Sequence, residues 1–274
     1  TGELKTVRSS AKGRKRDAAR PNMSQPIILY DIAMAGGTPA DKAWSPNSLK
    51  TRLALNFKGL AHKTQWLNFI DVAPTLSGLG LAPHVTNDPR KWTVPAIYDP
   101  KTQTTIMGSQ EIATYLEEQY PEQPSLFPPR TRALQAAFYD EVSESLIVPI
   151  FTSLLYRHLE KCATRDKEYF RSSREAIFGC SFEDIAPKGE DALKTRLAEI
   201  EVVLGKAARW IDMGPGIFVG GEGPLNADFN LVAMFLWAKM VGGDEHPVTR
   251  DILRADGGRW VRYIEAFDAW TALH

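Results

Sequence analysis

Apolar and polar positions alternate along this chain with two periods, a short one in the first half and a helical one in the second. "PIILYDI" (26–32) is a compact apolar run of strand type. The Gly, Pro and Asp content of "AMAGGTPADKA" (33–43) predicts a loop after it. In "AWSPNSLKTRLALNFKGL" (43–60), Leu49, Leu53, Phe57 and Leu60 recur at i, i+4, i+8 and i+11, one buried helical stripe. Lys58-Gly59 supplies its stop signal. "HKTQWLNF" (62–69) alternates as a second strand, and "VAPTLSGLG" (72–80) allows only a short or irregular helix. "TVPAIYD" (93–99) is a third strand with Pro95 near its start, and "TTIMGS" (104–109) pairs with it across "PKTQ". "SQEIATYLEEQYP" opens a helix at Ser109, turns Ile112 and Leu116 inward and stops at Pro121. The order βαβαββα predicts a small mixed sheet covered by helices.

"PEQPSLFPPR" (121–130) holds four prolines and no periodicity, which makes it a linker. Beyond it the pattern is helical throughout. Leu134, Phe138, Val142, Leu146 and Ile150 form one stripe, with Pro149 as its expected kink. Leu193, Leu197, Ile200, Leu204 and Ile211 form another, and Trp260, Ile264 and Phe267 the last. "FNLVAMFLWAKM" (229–240) is apolar on nearly every face, as the central helix of a bundle is. The domain expectation is therefore a tail over 1–22, a small α/β domain over 23–120, a linker over 121–130 and an all-α domain over 131–274.

Composition changes this picture little: 43% hydrophobic and 24% charged residues are ordinary for a globular chain of 274 residues. No apolar run approaches the roughly 18 residues of a membrane span. Cys162 and Cys180 are far apart and form no CxxC pair, which points to a reducing, cytoplasmic setting. Charge is more informative. Residues 1–22 carry seven Lys/Arg against Glu3 and Asp17, while the whole chain is formally neutral. With almost no large apolar residue, this segment reads as a flexible tail. It serves either as an address or polyanion-binding patch, or as sequence upstream of a start at Met23. Without it, nothing in the charge balance calls for nucleic acid.

Three positions carry candidate chemistry. Ser45 stands where a loop delivers a helix, and Pro46 takes the first helical position, where its missing N–H costs nothing. Helix N-termini offer positive potential and free N–H groups. The Ser45 hydroxyl can cap its own helix or donate to an anion such as a thiolate. Ser109 repeats this choice at a second helix start, a natural carboxylate seat. Pro95, after Val94, can expose the Val94 backbone for pairing with an extended peptide. The five histidines have no metal-ligand spacing, and no phosphate-binding or GxSxG motif is present.

In this order the residues resemble the cytosolic glutathione transferases over about residues 25 to 270. The marks are Val94-Pro95, "GSQEIATYLEEQYP" and "GPLNADFNLVAMFLW"; the loop before Ser45 is similar to the etherase-related fungal class. The resemblance implies a thioredoxin-like N-terminal domain and an all-α C-terminal bundle, with glutathione as co-substrate and no metal. It implies that Ser45 stabilises the glutathione thiolate, with Asn47 as a second donor. Val94 then pairs with the cysteinyl backbone beside a cis-Pro95, and Ser109, adjoined by Gln110, holds the γ-glutamyl carboxylate. The hydrophobic or aromatic co-substrate is expected against Phe138, Val142, Leu146 and Tyr156 of the helical domain. A homodimer and cleavage of lignin-type β-aryl ethers are further implications. The sequence departs from the family at Gly108, where an acid usually precedes the serine, and at Leu225, where Asn226 is expected to cap instead. Two rival functions keep the same fold: a non-catalytic binder of aromatic compounds, and a scaffolding module.

Overall fold

The structure is a computed structural model that describes residues 25–36, 43–85 and 89–273. The expectation for the basic segment 1–22, and for part of the loop before Ser45, lies outside the described residues. Strand β1 (Ile27–Ile32) sits inside a four-stranded sheet of order β2-β1-β3-β4, with β2 His62–Leu67, β3 Ala96–Asp99 and β4 Thr104–Met107. β1 runs parallel to β2 and antiparallel to β3, and β3 antiparallel to β4. Helices α1 (Pro46–Phe57), α2 (Phe69–Gly78) and α3 (Ser109–Gln119) accompany the sheet. This is the thioredoxin-like half.

β1 is buried almost throughout, which is why its sequence is a continuous apolar run rather than an alternation. The exception is Asp31, whose carboxylate accepts from Arg52 of α1 at 3.0 Å, both side chains 1% exposed. Arg52 also donates to Thr64 of β2 at 2.9 Å, so one guanidinium ties α1 to two strands. The stop at Lys58-Gly59 is as expected, with Gly59 at φ 64°, a conformation that glycine adopts without steric cost.

The second half is a bundle: α4 (Arg132–Phe138), α5 (Ser145–Ser153), α6 (Leu155–Lys161), α7 (Lys167–Phe178), α8 (Phe182–Ile185), α9 (Gly189–Ile211), α10 (Asn226–Gly242) and α11 (Pro247–Glu265). α10 is central, buried from Asn226 to Phe235 without a break. Between α4 and α5 the chain makes a π-helical turn at Tyr139–Glu144. Pro149 lies one turn beyond it. A proline ring crowds the carbonyl four residues back, here Ser145, the first residue after the π turn. The irregularity expected at Pro149 is thus taken up just ahead of it.

Two readings of this half are corrected. Leu134 is 72% exposed and does not belong to the buried stripe, because α4 has only two turns before the π turn resets the phase. Asn226 does not cap α10: Leu225 is the N-cap residue, and Asn226 instead donates to Gln110 of α3 at 2.9 Å. The capping oxygen comes from Asp228, which accepts the Leu225 N–H at 2.8 Å.

The halves share one core. Phe57 at the end of α1 packs edge-on against Phe229 of α10 and Trp270, with ring centroids 5.4 and 5.5 Å apart. Asn56 donates to the Trp270 carbonyl at 2.6 Å and to the Ala272 carbonyl at 2.9 Å, and Asn226 of α10 donates to Gln110 of α3. Among the described residues, no helix is long and apolar enough to cross a membrane.

Candidate functional site

Where the halves meet they leave a cavity of about 750 Å3. Ser45 lines it, flanked by Trp44, Pro46 and Asn47. The Ser45 backbone is extended, and its Oγ accepts the Ser48 N–H at 3.4 Å. That is beyond the usual 2.7–3.2 Å of such a bond. The hydroxyl therefore caps weakly and keeps its own proton to donate. The helix start beneath it supplies positive potential, and α1 has no acidic residue in its first turn to neutralise it.

Asn47 is also in the wall, its Oδ1 accepting from Lys50 Nζ at 3.0 Å. The amide NH2 of Asn47 remains available as a donor. Lys50 is buried and lies 5.6 Å over the Tyr139 ring. Burial pulls its ammonium down to about 8, against the opposing pull of Glu144.

Val94 completes this side of the wall, and the Val94–Pro95 peptide bond is cis. The Pro95 carbonyl accepts the Gly108 N–H at 3.0 Å, which brings the start of α3 up to the strand. Gly108 has φ 101°, and a side chain there would collide with the Glu111 carboxylate. Glu111 thus fills the space over its own helix start and faces the cavity.

Ser109 is the first residue of α3, and the N-cap position is taken by Gly108, which has no side chain to cap with. It and Gln110 are not among the wall residues. Gln110 has another partner in Asn226, so its carbonyl serves the contact between the halves.

The wall on the helical side differs from expectation. Phe138, Val142 and Leu146 are fully buried in the bundle, and Tyr156 is exposed with its edge on Phe182; none lines the cavity. The π turn explains the shift, because the stripe that repeats every four residues faces the core. The adjoining face, with Tyr139, Glu144, Ile147, Val148 and Phe151, meets the cavity. Sequence periodicity marks buried stripes, and a cavity wall is the neighbour of such a stripe.

Part of the cavity wall is aromatic. Trp44, Phe69, Phe151 and Trp237 surround His158, whose ring stacks on Phe170 at 4.4 Å and lies 4.2 Å from Trp44. Burial, with the Arg174 charge in second place, drives the His158 pKa well below 6.5, so the ring is neutral. None of this was legible beforehand: a lone His gives no spacing signal, and the five rings around it come from separate parts of the chain.

The cavity wall thus combines polar side chains, among them Ser45, Asn47, Glu111 and Glu144, with an aromatic part that also holds Arg174. Such a site can hold a small charged peptide beside a flat apolar molecule. Residues 44–119 match the glutathione S-transferase N-terminal domain, and residues 133–270 the glutathione S-transferase C-terminal domain. The chain is 33% identical over 228 residues to the glutathione S-transferase-like protein ustS of Aspergillus flavus, covering 78% of this chain and 80% of that protein. In structure it is similar to glutathione transferase GSTFuA3 of Phanerochaete chrysosporium, with a TM-score of 0.81, 33% identity, and 91% and 99% of the two chains covered. A glutathione S-transferase of Ceriporiopsis subvermispora, solved in complex with glutathione, aligns with a TM-score of 0.80, 31% identity and coverage of 89% and 98%. Both halves of the chain, and the cleft between them, place it in the glutathione S-transferase family.

Proposed function

We propose that this glutathione transferase works through Ser45. The observation that carries the reading is the Ser45 hydroxyl, in the cavity wall at a helix start and only weakly engaged by its own cap. In this reading the hydroxyl and the Asn47 amide donate to the glutathione sulfur. A free thiol titrates near about 8.5, and lowering it by two units takes about 2.7 kcal/mol. One hydrogen bond to a charged group supplies about 1.5–3 kcal/mol, and the helix dipole adds to it. The Val94 backbone pairs with the cysteinyl unit. The Ser109 hydroxyl, with the free N–H groups at the start of α3, takes the γ-glutamyl carboxylate. Glu111 takes the γ-glutamyl ammonium, because its carboxylate occupies the space that a side chain at 108 would fill.

The reaction is attack of the thiolate on an electrophilic carbon of an apolar co-substrate held in the aromatic part of the cavity. For a β-aryl ether, a C–S bond forms as the C–O bond breaks, and the aryl oxygen leaves with the electron pair and is protonated. Proximity of the two molecules in one cavity supplies much of the rate. Homodimeric assembly and a cytoplasmic setting belong to the same proposal. The latter is supported by the two free thiols, of which buried Cys162 is pushed up to about 12.

The test is glutathione-dependent release of a fluorescent phenol from a β-aryl ether. We expect Ser45→Ala to lower the rate ~100-fold, from the loss of one such bond. Equal rates would return Ser45 to capping alone. Absence of release by either protein, with glutathione still bound, would move the function to another electrophile or to a binder of aromatic compounds.

A further inference from the structure

Lys50 is buried where the fold gains nothing from its charge. It is 4% exposed and sits behind the cavity wall rather than in it. Its Nζ donates to Asn47 Oδ1 at 3.0 Å and lies 5.6 Å over the Tyr139 ring, and both partners are wall residues. Burying an ammonium is costly. The attraction of Glu144 offsets only part of that cost, since desolvation is the larger effect on this group. Lys50 is also the fifth residue of α1, close to the helix end whose positive potential disfavours a cation. Packing asks for neither burden, because a methionine would fill the same space without them. A hydrogen bond between residues three apart on a helix is too weak to repay them.

What the ammonium does determine is the orientation of the Asn47 amide. An ammonium has three donors and no acceptor, so only the Oδ1 edge of the amide can face it. The amide is planar, and its NH2 is then turned to the other side. Asn47 is exposed in the cavity wall, so that NH2 group is open to a ligand. At pH 7 the ammonium is in place, because burial lowers it only to about 8. An apolar side chain at this position would release the amide. Half a turn about its last side-chain bond would then bring Oδ1 to the cavity, where it repels an anion instead of donating to it.

We propose that Lys50 is a positioning residue for the glutathione thiolate: it holds the Asn47 amide by Oδ1, so that the NH2 is the group presented to the sulfur. Lys50 touches neither glutathione nor co-substrate and acts through Asn47 alone. The proposal rests on the reading in which Ser45 and Asn47 donate to the sulfur.

The test is the thiol pKa of bound glutathione, read on the full chain from the ultraviolet absorbance of the thiolate as the pH is raised. Lys50→Met should raise that pKa by about one unit, the size expected for the loss of one hydrogen bond to a charged group. Asn47→Ala should raise it as much, and Lys50→Met should add nothing further on the Asn47→Ala background. Lys50→Arg, which keeps a charged group that only donates, should leave the thiol pKa as in the wild type. The urea midpoint of Lys50→Met should not fall, whereas a merely structural lysine would move the midpoint and not the thiol pKa. An unchanged thiol pKa in Lys50→Met, a rise that persists in full on the Asn47→Ala background, or a rise in Lys50→Arg equal to that in Lys50→Met would overturn the inference. Ser45→Ala is titrated alongside. A raised thiol pKa in Ser45→Ala with none in Lys50→Met removes this inference alone, and an unchanged value in Ser45→Ala removes the proposed role of Ser45 itself.

Discussion

At the scale of single residues the site is a set of side chains that have given up local satisfaction. Ser45 caps α1 at 3.4 Å instead of closing on it, and His158 sits among rings with both nitrogens unpaired. The second case has a measurable cost. Replacing the imidazole with Phe removes a desolvated polar group from an aromatic setting, so His158→Phe should raise stability by about 1–2 kcal/mol, read from the urea midpoint at pH 7. The pH dependence has a definite sign. The folded-state pKa of His158 is depressed below 6.5, so the unfolded chain takes up the proton first. Its contribution to stability is present above pH 6.5 and is lost as the pH falls below it. The variant should therefore lose less stability than the wild type between pH 7 and 5; equal slopes would assign the acid sensitivity to other groups. Glu111 is the second residue to test. Glu111→Gln should raise the KM for glutathione about tenfold, from the loss of a charge-assisted bond. It should also erase the preference for glutathione over an analogue lacking the amino group. A preference that survives in the variant would assign the amine another partner.

At the scale of elements, the start of α10 shows how a position was legible in residue type but not in role. Asp228 accepts from Leu225 N–H, Val219 N–H and the Tyr263 hydroxyl, each at 2.8 Å. Burial lifts its carboxyl to about 6 against the pull of those donors, so at pH 7 it is ionised and acts purely as an acceptor. Asp228→Asn keeps the shape but turns an NH2 toward a donor. We expect a loss of about 2–3 kcal/mol by thermal or urea unfolding, with glutathione affinity little changed if the folded fraction is held constant. A loss below 0.5 kcal/mol would show that the chain repacks around the amide. The resemblance placed a cap at the start of this helix and expected Asn226 to supply it. It misassigned the partner, because Asn226 is also a capping residue type and only the approach of α3 gives it Gln110. The stripe at Phe138, Val142 and Leu146 was read correctly as periodic and wrongly as cavity wall. Periodicity reports which face is buried, and the π turn determines which adjoining face meets the cavity.

At the scale of the whole molecule, a continuous set of buried residues runs from Ile27 of the sheet to Phe267 after α11. The halves are joined through rings and backbone bonds as well as a linker. The chain should therefore unfold in one transition, with tryptophan fluorescence and far-ultraviolet circular dichroism giving the same midpoint; two separated midpoints would mean that the halves are independently stable. What the sequence determined alone is what depends on neighbours in the chain: strand runs, helix stripes, the stop at Gly59, the helix start at Ser45-Pro46 and the order that places a small sheet before a bundle. The family motifs at Val94-Pro95 and Ser109 were visible for the same reason, since each lies within a few consecutive residues. The tertiary structure alone decided which side chains share the cavity. Glu111 faces it because Gly108 has no side chain, and Glu144 and Tyr139 because a π turn shifts the helix phase. His158 does so because five rings from separate parts of the chain close around it. These are contacts between residues up to about two hundred positions apart, set by packing and by no period in the chain.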